Sequence, residues 1–497
     1  HNIDVYAQTE VLAINRDAKT ITVKDLRSGE TREEAYDKLV LATGTEPVMP
    51  GSIEGIHSPH VFTIRNVVDI ERLQAKLDEE STKNIAVVGG GFIGVEVAEN
   101  LRKIGKEVTL IEGTKQILAP YDYDMVQILH KELDDNGITL HVSATVTAIE
   151  SKQVKAVKDG KEFTVAADAV VMAVGARPKT ELAKDAGLEI GTTGGIWVDH
   201  NYRTSDADIY AVGDAIESYN RLAHAPGRIA LAGPAQRQAR AAADHICGMY
   251  NTNKGYIGSS CIKVFGQNAA CTGLNEKEAK HLGYSYDSVM IFPMDKVGLM
   301  PGANYMVFKL VFEVPTGRIL GAQAIGTGEC DKRVDVIAAM ITMGGTLEDL
   351  KELELCYAPP FSTAKDVVNL AALVALNVLN GRIKQVHVDK VRELVEQGAY
   401  IIDVRGAGEL KAGHLKGVHH IPLNELRDRL DEIPRDIPVY LHCRSSQRSY
   451  YAACTLIENG FTNVYNISGS FLGISLYEYF NDKTQGREPI VTQYNFE

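Results

Sequence analysis

Alternating and continuous apolar runs divide the chain into strand-rich and strand–helix stretches. Residues 20–24 alternate as a strand does, residues 27–30 have turn composition, and 38–41 form a short apolar strand. From about 80 to 193 the pattern becomes strand–helix–strand, beginning at the apolar run 85–88. From about 194 to 250 it returns to strand and then helix.

The second half of the chain divides in the same way. Residues 251–383 carry β-rich stretches followed by helices expected around 331–343 and 363–380, and a final α/β module spans about 384–497. A chain of 497 residues is too long for one core, and three or four domains are expected at roughly 100–200 residues each.

Composition and charge exclude several classes of partner. The chain is 45% hydrophobic and 24% charged, as in ordinary globular proteins. A net charge of -13 argues against a nucleic-acid partner, which would need a basic surface. No apolar run reaches the roughly 18 residues of a membrane span, so no membrane partner is expected.

Seven cysteines are scattered without paired spacing. No C-x-x-C motif and no Cys/His cluster occurs, so we expect no metal site. Free thiols at this density are typical of a reducing compartment, which indicates a cytoplasmic protein. We expect Cys247, Cys261, Cys271 and Cys454 to pack as small apolar side chains, which leaves Cys330 and Cys356, outside the motifs, as thiols to test for redox activity.

A glycine-rich turn indicates a dinucleotide site. Gly89, Gly91 and Gly94 match G-x-G-x-x-G between an apolar strand and a helix over 95–104, and Glu112 ends the next strand. The glycines allow pyrophosphate to approach the helix N-terminus, and Glu112 would accept hydrogen bonds from ribose hydroxyls. Its charge favours NADH over NADPH, a preference that Lys115 moderates. The alternative is a strand–helix turn without a ligand.

Two further motifs flank this unit: Thr43-Gly44 and Gly213-Asp214. With them the chain resembles the two-dinucleotide flavoprotein reductases, in which an inserted NADH domain splits an FAD domain. The resemblance implies that Thr43 and Gly44 form the crossing point and that Asp214 holds the ribityl chain of FAD. The alternative for Asp214 is an ordinary Gly-Asp turn. We expect the family's first FAD-binding segment and its redox cysteine to precede His1.

Two other segments resemble the coenzyme A-disulfide reductases. The first, 231–237, contains Ala232 and resembles the segment that packs on the flavin ring, with Gln236 where Asn is usual. The second, 356–362, resembles a loop whose tyrosine, here Tyr357, reaches the partner subunit's active site. The resemblance implies a coenzyme A substrate and a homodimer formed through 251–383. The alternative for Tyr357 is packing in a proline-fixed turn.

One departure from that family concerns the substrate. The family carries a second tyrosine just before a Pro-Gly pair, where this chain has Met300 after Leu299. One proposed acid group is therefore missing. The departure puts a disulfide substrate in doubt and leaves a persulfide, a polysulfide or oxygen.

The C-terminal module resembles a single rhodanese domain. A strand over 401–405, Gly413-His414 and a strand over 439–442 lead to the loop 443–449 and a helix expected to start at Tyr450. A cysteine after a strand, at a helix N-terminus, is placed to stabilise a thiolate or persulfide. Cys443 would carry sulfane sulfur, and Arg444 and Arg448 would add positive charge.

This loop departs from the usual rhodanese pattern at one position. Many rhodanese loops have glycine where Ser446 stands. The alternative function is a degenerate domain used only for docking.

Together these features predict an α/β protein with an FAD/NAD(P)-linked reductase fold. It would comprise two Rossmann-like domains, an α+β dimerisation domain and a C-terminal rhodanese-like α/β domain. The expected domains are an FAD-binding domain formed by 1–79 and 194–250, an NAD-binding domain over 80–193, a dimerisation domain over 251–383 and a rhodanese domain over 384–497.

The predicted function is an NADH- and FAD-dependent reductase of coenzyme A persulfide, coenzyme A disulfide or polysulfide. The rhodanese domain would supply or receive sulfane sulfur, and fusion would raise its local concentration. Two alternatives stay open: an NADH oxidase that reduces oxygen, and a non-enzymatic sulfur carrier or docking scaffold.

Overall fold

A computed structural model describes residues 3–251 and 253–496. The chain divides into two compact units. The first contains the chain up to Pro50, Thr63–Ile70 and Val174–Gly258, and the second contains Gly51–Phe62, Glu71–Ala173 and the chain from Ser259 onward. This division is coarser than the five expected domain ranges, which stay predictions. No helix in the described ranges is long and apolar enough to cross a membrane.

The chain begins with short strands. The elements are β1 (Thr9–Asn15), β2 (Thr20–Asp25), β3 (Thr31–Ala35), β4 (Leu39–Leu41), β5 (Thr45–Pro47), β6 (Val61–Thr63) and α1 (Val67–Leu77). β1, β2 and β3 form an antiparallel meander, and the strand predicted over 20–24 is confirmed as β2.

A parallel sheet follows in the second unit. Its segment comprises β7 (Asn84–Val88), α2 (Phe92–Lys103), β8 (Glu107–Ile111), α3 (Tyr123–Asp135), β9 (Thr139–His141), β10 (Ala144–Ile149), β11 (Gln153–Lys158), β12 (Lys161–Ala166) and β13 (Ala169–Met172). The sheet order is β6-β13-β7-β8-β9. Its central strand β7 is apolar along most of its length because both faces are covered.

The first unit then resumes. Its elements are β14 (Ala176–Pro178), α4 (Glu181–Asp185), β15 (Ile209–Ala211), β16 (Ser218–Asn220), β17 (Ala225–Gly227) and α5 (Ala232–Ile246). β15 pairs in parallel with β4, although about 170 residues separate them in sequence. This pairing brings the ends of the two strands together.

An antiparallel sheet of order β18-β19-β22-β21-β20 opens the remainder of the second unit. The elements are β18 (Ser259–Val264), β19 (Gln267–Gly273), α6 (Glu276–His281), β20 (Tyr286–Ile291), β21 (Met306–Glu313), β22 (Ile319–Gly326), α7 (Cys330–Met343), α8 (Leu347–Glu352) and α9 (Val367–Leu379). The helix predicted over 363–380 starts later, at Val367, because the Asp366 side chain caps it by accepting from the Val368 N–H.

The C-terminal sheet is parallel, in the order β23-β27-β26-β24-β25. Its segment comprises β23 (Lys384–Val386), α10 (Val391–Glu396), β24 (Tyr400–Asp403), α11 (Ala407–Lys411), β25 (His419–His420), β26 (Val439–His442), α12 (Gln447–Glu458), β27 (Val464–Ile467) and α13 (Ser470–Gln485). α12 begins at Gln447, so the predicted start at Tyr450 was three residues late.

A buried charge cluster joins the parallel sheet's module to the antiparallel sheet. Lys309 of β21 is 1% exposed, and its Nζ lies 2.8 Å from Asp124, 2.7 Å from Glu276 and 3.2 Å from Asp122. The three carboxylates are close enough together to suit a cation, and the Lys309 ammonium supplies one. Burial raises the pKa of Asp122 to about 6, against the opposing effect of Lys309.

Removing this lysine should destabilise the second unit. Lys309→Met would leave buried carboxylates without their cation, at a cost of about 3–5 kcal/mol, whereas Lys332→Met on the exposed surface should change stability by less than about 0.5 kcal/mol. The penalty should be larger at pH 8 than at pH 5, because Asp122 is ionised above its raised pKa and then needs Lys309. Urea unfolding of both variants at the two pH values measures this, and an equal penalty at both would contradict it.

Candidate functional site

The glycine-rich turn has the geometry of an anion site. β7 ends at Val88, Gly89 turns the chain with a φ of +107°, and α2 begins at Phe92. A Cβ on Gly94 would overlap the Gly89 carbonyl oxygen, so this position needs glycine for helix–strand contact. A Cβ on Gly91 would meet nothing within 4 Å, and no side chain caps the helix there. The helix N-terminus is therefore open to a phosphate group.

Glu112 is held beside this turn. One carboxylate oxygen accepts from the Gly90 N–H at 2.6 Å and the other from the Thr114 N–H at 2.7 Å. Lys115 lies with its Nζ 4.8 Å from the centre of the Tyr123 ring. A carboxylate fixed in this way keeps lone pairs for ribose hydroxyls, so the residues present fit an adenine dinucleotide.

In the first unit, parallel pairing aligns the two motifs expected at the flavin. The Val212 N–H donates to the Leu41 carbonyl at 2.9 Å, so the turns after β4 and β15 leave the sheet side by side. Gly44 has a φ of +66°, and a Cβ there would lie 2.6 Å from Arg65 Nη2. Thr43 Oγ1 donates to the Lys179 carbonyl at 2.6 Å.

Asp214 lies in the short 3₁₀ helix Gly213–Ala215, directly after β15. Gly213 has a φ of +79°, and its N–H donates to Gln238 of α5 at 2.7 Å. Among the described residues, none donates a hydrogen bond to the Asp214 carboxylate. The first turn of α5, at Ala232, is exposed and has no side-chain cap. An unpartnered carboxylate beside an open helix N-terminus fits the polyol and phosphates of FAD.

Tyr357 belongs to the second unit, where it lies between α8 and α9. Its side chain is half exposed and lines an open cavity of about 510 Å³. The loop is tied down by hydrogen bonds from Val297 N to the Pro359 carbonyl and from Ser362 Oγ to the Cys356 carbonyl. Tyr357 is therefore presented outward by a fixed loop.

Cys443 sits at the base of the C-terminal loop, directly after β26, and is 1% exposed. Its Sγ accepts from Ser449 Oγ at 3.6 Å and from Ser470 Oγ at 4.0 Å. The Cys443 N–H donates to Ser470 Oγ at 3.2 Å. Sequence reasoning missed Ser470, which follows Gly469 at the start of a different helix.

The contacts of Ser446 explain how this loop accommodates serine where many rhodanese loops have glycine. It has a φ of +73°, a region that glycine enters freely and other residues rarely. Its hydroxyl donates to the Ile467 carbonyl at 3.0 Å and to Ser470 Oγ at 3.2 Å. These bonds hold serine in a conformation that would otherwise select glycine, so the loop keeps its turn into α12.

The two arginines of the loop differ in their partners. Arg448 forms two 2.7 Å hydrogen bonds with Glu409, which raise the pKa of Arg448 and lower that of Glu409. Its charge is therefore largely offset. Arg444 donates through Nη1 to the Asn495 carbonyl at 3.1 Å, and its buried Nη2 has no hydrogen-bond partner among the described residues. Arg444 is the arginine of this loop whose charge is not offset by an ion pair.

A buried ion pair supports the strands beneath the loop. Arg405 donates to Asp403 at 2.6 Å and to the Gly413 carbonyl at 2.8 Å, and both charged side chains are essentially fully buried. His442 Nε2 lies 3.7 Å from Asp403, and burial lowers the pKa of His442. This group fixes the ends of β24 and β26, from which the loop starts.

The remaining cysteines only partly match expectation. Cys271 is buried, and Cys454 is half-buried. Cys247 and Cys261 are exposed, so their predicted packing was wrong: Cys247 directly follows α5, and Cys261 faces outward from β18. Cys330 is buried, and burial raises its pKa to about 12. That shift disfavours the thiolate and argues against a redox role, whereas Cys356 is exposed.

A split flavin-type unit, a dinucleotide turn and a cysteine loop define a pyridine nucleotide-linked reductase joined to a rhodanese-like module. The chain matches the families Pyridine nucleotide-disulphide oxidoreductase at residues 1–239, its dimerisation domain at 259–367, and Rhodanese-like domain at 387–476. The chain belongs to the coenzyme A disulfide reductase family of these oxidoreductases.

Relatives and solved structures agree with this assignment. The coenzyme A disulfide reductase of Staphylococcus epidermidis is 32% identical over 74% of this chain and 82% of its own length. The crystal structure of reduced Bacillus anthracis CoADR-RHD has a TM-score of 0.90 at 42% identity, over 96% of this chain and 85% of its own. A NAD-dependent persulfide reductase from A. fulgidus has a TM-score of 0.89 at 37% identity, over 95% and 85%.

The strain at Ser446 can be measured with two substitutions. Ser446→Ala and Ser446→Gly both remove the hydroxyl, but only alanine keeps a side chain at positive φ. We expect the glycine variant to be more stable than the alanine variant by about 1 kcal/mol. Urea unfolding of the two variants tests this, and an alanine variant of equal or greater stability would contradict the assigned conformation.

Proposed function

We propose that this protein is an NADH- and FAD-dependent reductase of sulfur substrates in which Cys443 holds sulfane sulfur. The observation that carries the proposal is the Cys443 environment: a buried Sγ that two serine hydroxyls approach, at the start of an uncapped helix. That environment occurs in a chain that also carries a complete glycine-rich dinucleotide turn. A docking scaffold would need neither feature.

Bound NADH and FAD would supply two-electron hydride chemistry. Gly89, Gly91 and Gly94 would admit the dinucleotide's pyrophosphate to the N-terminus of α2, and Glu112 would accept from the ribose hydroxyls. The negative charge of Glu112 would repel a 2′-phosphate, which supports NADH over NADPH. Asp214 would hold the ribityl hydroxyls of FAD.

Residues of the rhodanese loop would accept sulfane sulfur and stabilise the persulfide that forms. A persulfide R–S–SH would transfer its outer sulfur to Cys443: the Cys443 thiolate attacks that sulfur, the S–S bond of the persulfide breaks, and a new S–S bond forms on Cys443. The leaving R–S⁻ takes up the proton that the Cys443 thiol gave up and departs as R–SH, without net oxidation. Ser449, Ser470 and the open N-terminus of α12 would stabilise the resulting anion. The overall reduction consumes NADH, a proton and R–S–SH and yields NAD⁺, R–SH and H₂S.

We propose coenzyme A persulfide as the substrate. Relatives of this chain include coenzyme A disulfide reductases and the Pyrococcus furiosus NAD(P)H sulfur oxidoreductase (CoA-dependent), 32% identical over 75% of this chain and 83% of its own length. Met300 stands where the family has its second tyrosine, which favours a persulfide over the disulfide. The match to a dimerisation domain supports a homodimer, in which Tyr357 would serve the neighbouring subunit.

Replacing the sulfur-carrying cysteine tests the proposal directly. Cys443→Ser should lose persulfide loading at this loop, by about one sulfane sulfur per chain, because Cys443 is the thiol that the Ser449 and Ser470 hydroxyls approach. Cys454→Ser, on the helix α12 that follows the loop, should load normally. Intact-protein mass spectrometry after treatment with coenzyme A persulfide measures both variants.

Two outcomes would count against the proposal. Equal loading of sulfane sulfur on both variants would show that Cys443 is not the residue that carries it. NADH-dependent oxygen consumption at full rate without any sulfur compound would instead identify an oxidase, a chemistry named for the water-forming NADH oxidase from Lactobacillus brevis, to which this chain is 27% identical.

The nucleotide preference provides a separate prediction. Glu112→Ala should reduce the preference for NADH over NADPH by about 10-fold, because it removes the repulsion of a 2′-phosphate. Glu162→Ala, on the exposed strand β12, should leave the preference unchanged. The kcat/KM values of both variants with both nucleotides decide the matter, and an unaltered ratio in Glu112→Ala would contradict the assigned role.

A further inference from the structure

The segment of residues 114–122, which connects β8 to α3, packs against the glycine-rich turn. The Leu118 N–H donates to the Gly90 carbonyl at 2.8 Å, and a Cβ on Gly90 would lie 2.7 Å from Ile117 Cγ2. Ile117 and Leu118 are both buried, and Leu118 has a φ of +48°. A non-glycine residue holds such a conformation only where its surroundings enforce it. The 114–122 segment therefore packs directly against the turn and fixes its backbone on that side.

His130 of α3 contacts both the rhodanese-like module and this segment. The ring of Phe480, on α13, lies 4.8 Å from the ring of His130, on α3. His130 Nε2 accepts from the Ile117 N–H at 3.3 Å. Burial lowers the pKa of His130 to about 3, so the ring is neutral and its Nε2 can accept.

Other contacts hold the same two helices together. Tyr123 at the start of α3 donates to Asn481 at 2.8 Å and meets the Tyr477 ring edge-on at 5.7 Å. Phe480 itself is 2% exposed. α13 therefore packs closely against α3. Removal of the Phe480 ring would leave a cavity into which the His130 ring would shift, away from the Ile117 N–H.

We propose that Phe480, a residue of the rhodanese-like module, is a positioning residue for the dinucleotide site. It acts through His130 and Ile117 on Gly90, whose N–H also holds Glu112. The module therefore sets how tightly the reductase binds its nicotinamide nucleotide, in addition to carrying sulfur. This inference rests on the proposed use of NADH.

The experiment uses the full chain with NAD⁺ as the probe. Phe480→Ala should raise the Kd for NAD⁺ in isothermal titration calorimetry by about 5-fold, the size expected for coupling between contacting residues. The KM for NADH should rise in parallel while kcat stays unchanged. Phe480→Leu, which keeps most of the volume, should restore binding to near the wild-type value.

Ile474→Ala is the matched control. Ile474 lies on the same helix and is fully buried, but it packs in the rhodanese-like core with Val388, Val391 and Ile401. It should destabilise the module without changing the Kd for NAD⁺. Loading of sulfur on Cys443 should be normal in Phe480→Ala, because Ser470, the α13 residue whose hydroxyl lies beside Cys443 Sγ, is ten positions away from Phe480.

The outcomes separate this inference from the proposed function. A wild-type protein that binds no NAD⁺ would defeat the proposed function. Wild-type binding with the same Kd in Phe480→Ala would overturn the inference alone. If Phe480→Ala does not fold, His130→Leu tests the same contact, since it removes the acceptor for the Ile117 N–H; an unchanged Kd there would equally overturn it.

Discussion

One backbone constraint recurs where the dinucleotide, flavin and sulfur sites are expected: a residue at positive φ stands between a parallel strand and the helical turn that follows it. Gly89 directly follows β7, Gly213 lies two residues beyond the end of β15, and Ser446 lies four residues beyond the end of β26. The turn directs the following backbone N–H groups toward the strand end, where an anion can be held. Pyrophosphate, flavin phosphates and a persulfide are different ligands, but this geometry suits all three.

The constraint is met in different ways. At the dinucleotide turn, glycine removes the steric cost, and Gly94 also allows α2 to approach the sheet. At the rhodanese loop, Ser446 adopts a positive φ despite the steric cost of its Cβ, and hydrogen bonds to Ile467 and Ser470 hold it there. The same hydroxyl network reaches Cys443, so the residues that hold the turn also surround the reactive sulfur. Loop geometry and sulfur chemistry are coupled there.

Local motifs could be predicted from the sequence because each depends on nearby residues. The glycine spacing, the acid at 112 and the cysteine at a strand end all follow from turn and helix geometry, and β8 ends at Ile111, directly before that acid. Contacts between distant segments could not be predicted in this way. Ser470 lies 27 residues beyond Cys443, and Glu409 neutralises Arg448 from 39 residues away. The Phe480–His130 contact joins residues 350 positions apart, which no periodicity reveals.

The central claim is that electrons from a nicotinamide nucleotide release sulfide from sulfane sulfur on this protein. An anaerobic titration of the purified protein with NADH and coenzyme A persulfide, following NADH absorbance and released sulfide together, tests it most directly. The account predicts about one sulfide for each NADH oxidised, because one S–S bond is cleaved for each pair of electrons. NADH oxidation without sulfide, or sulfide release that does not depend on NADH, would contradict it.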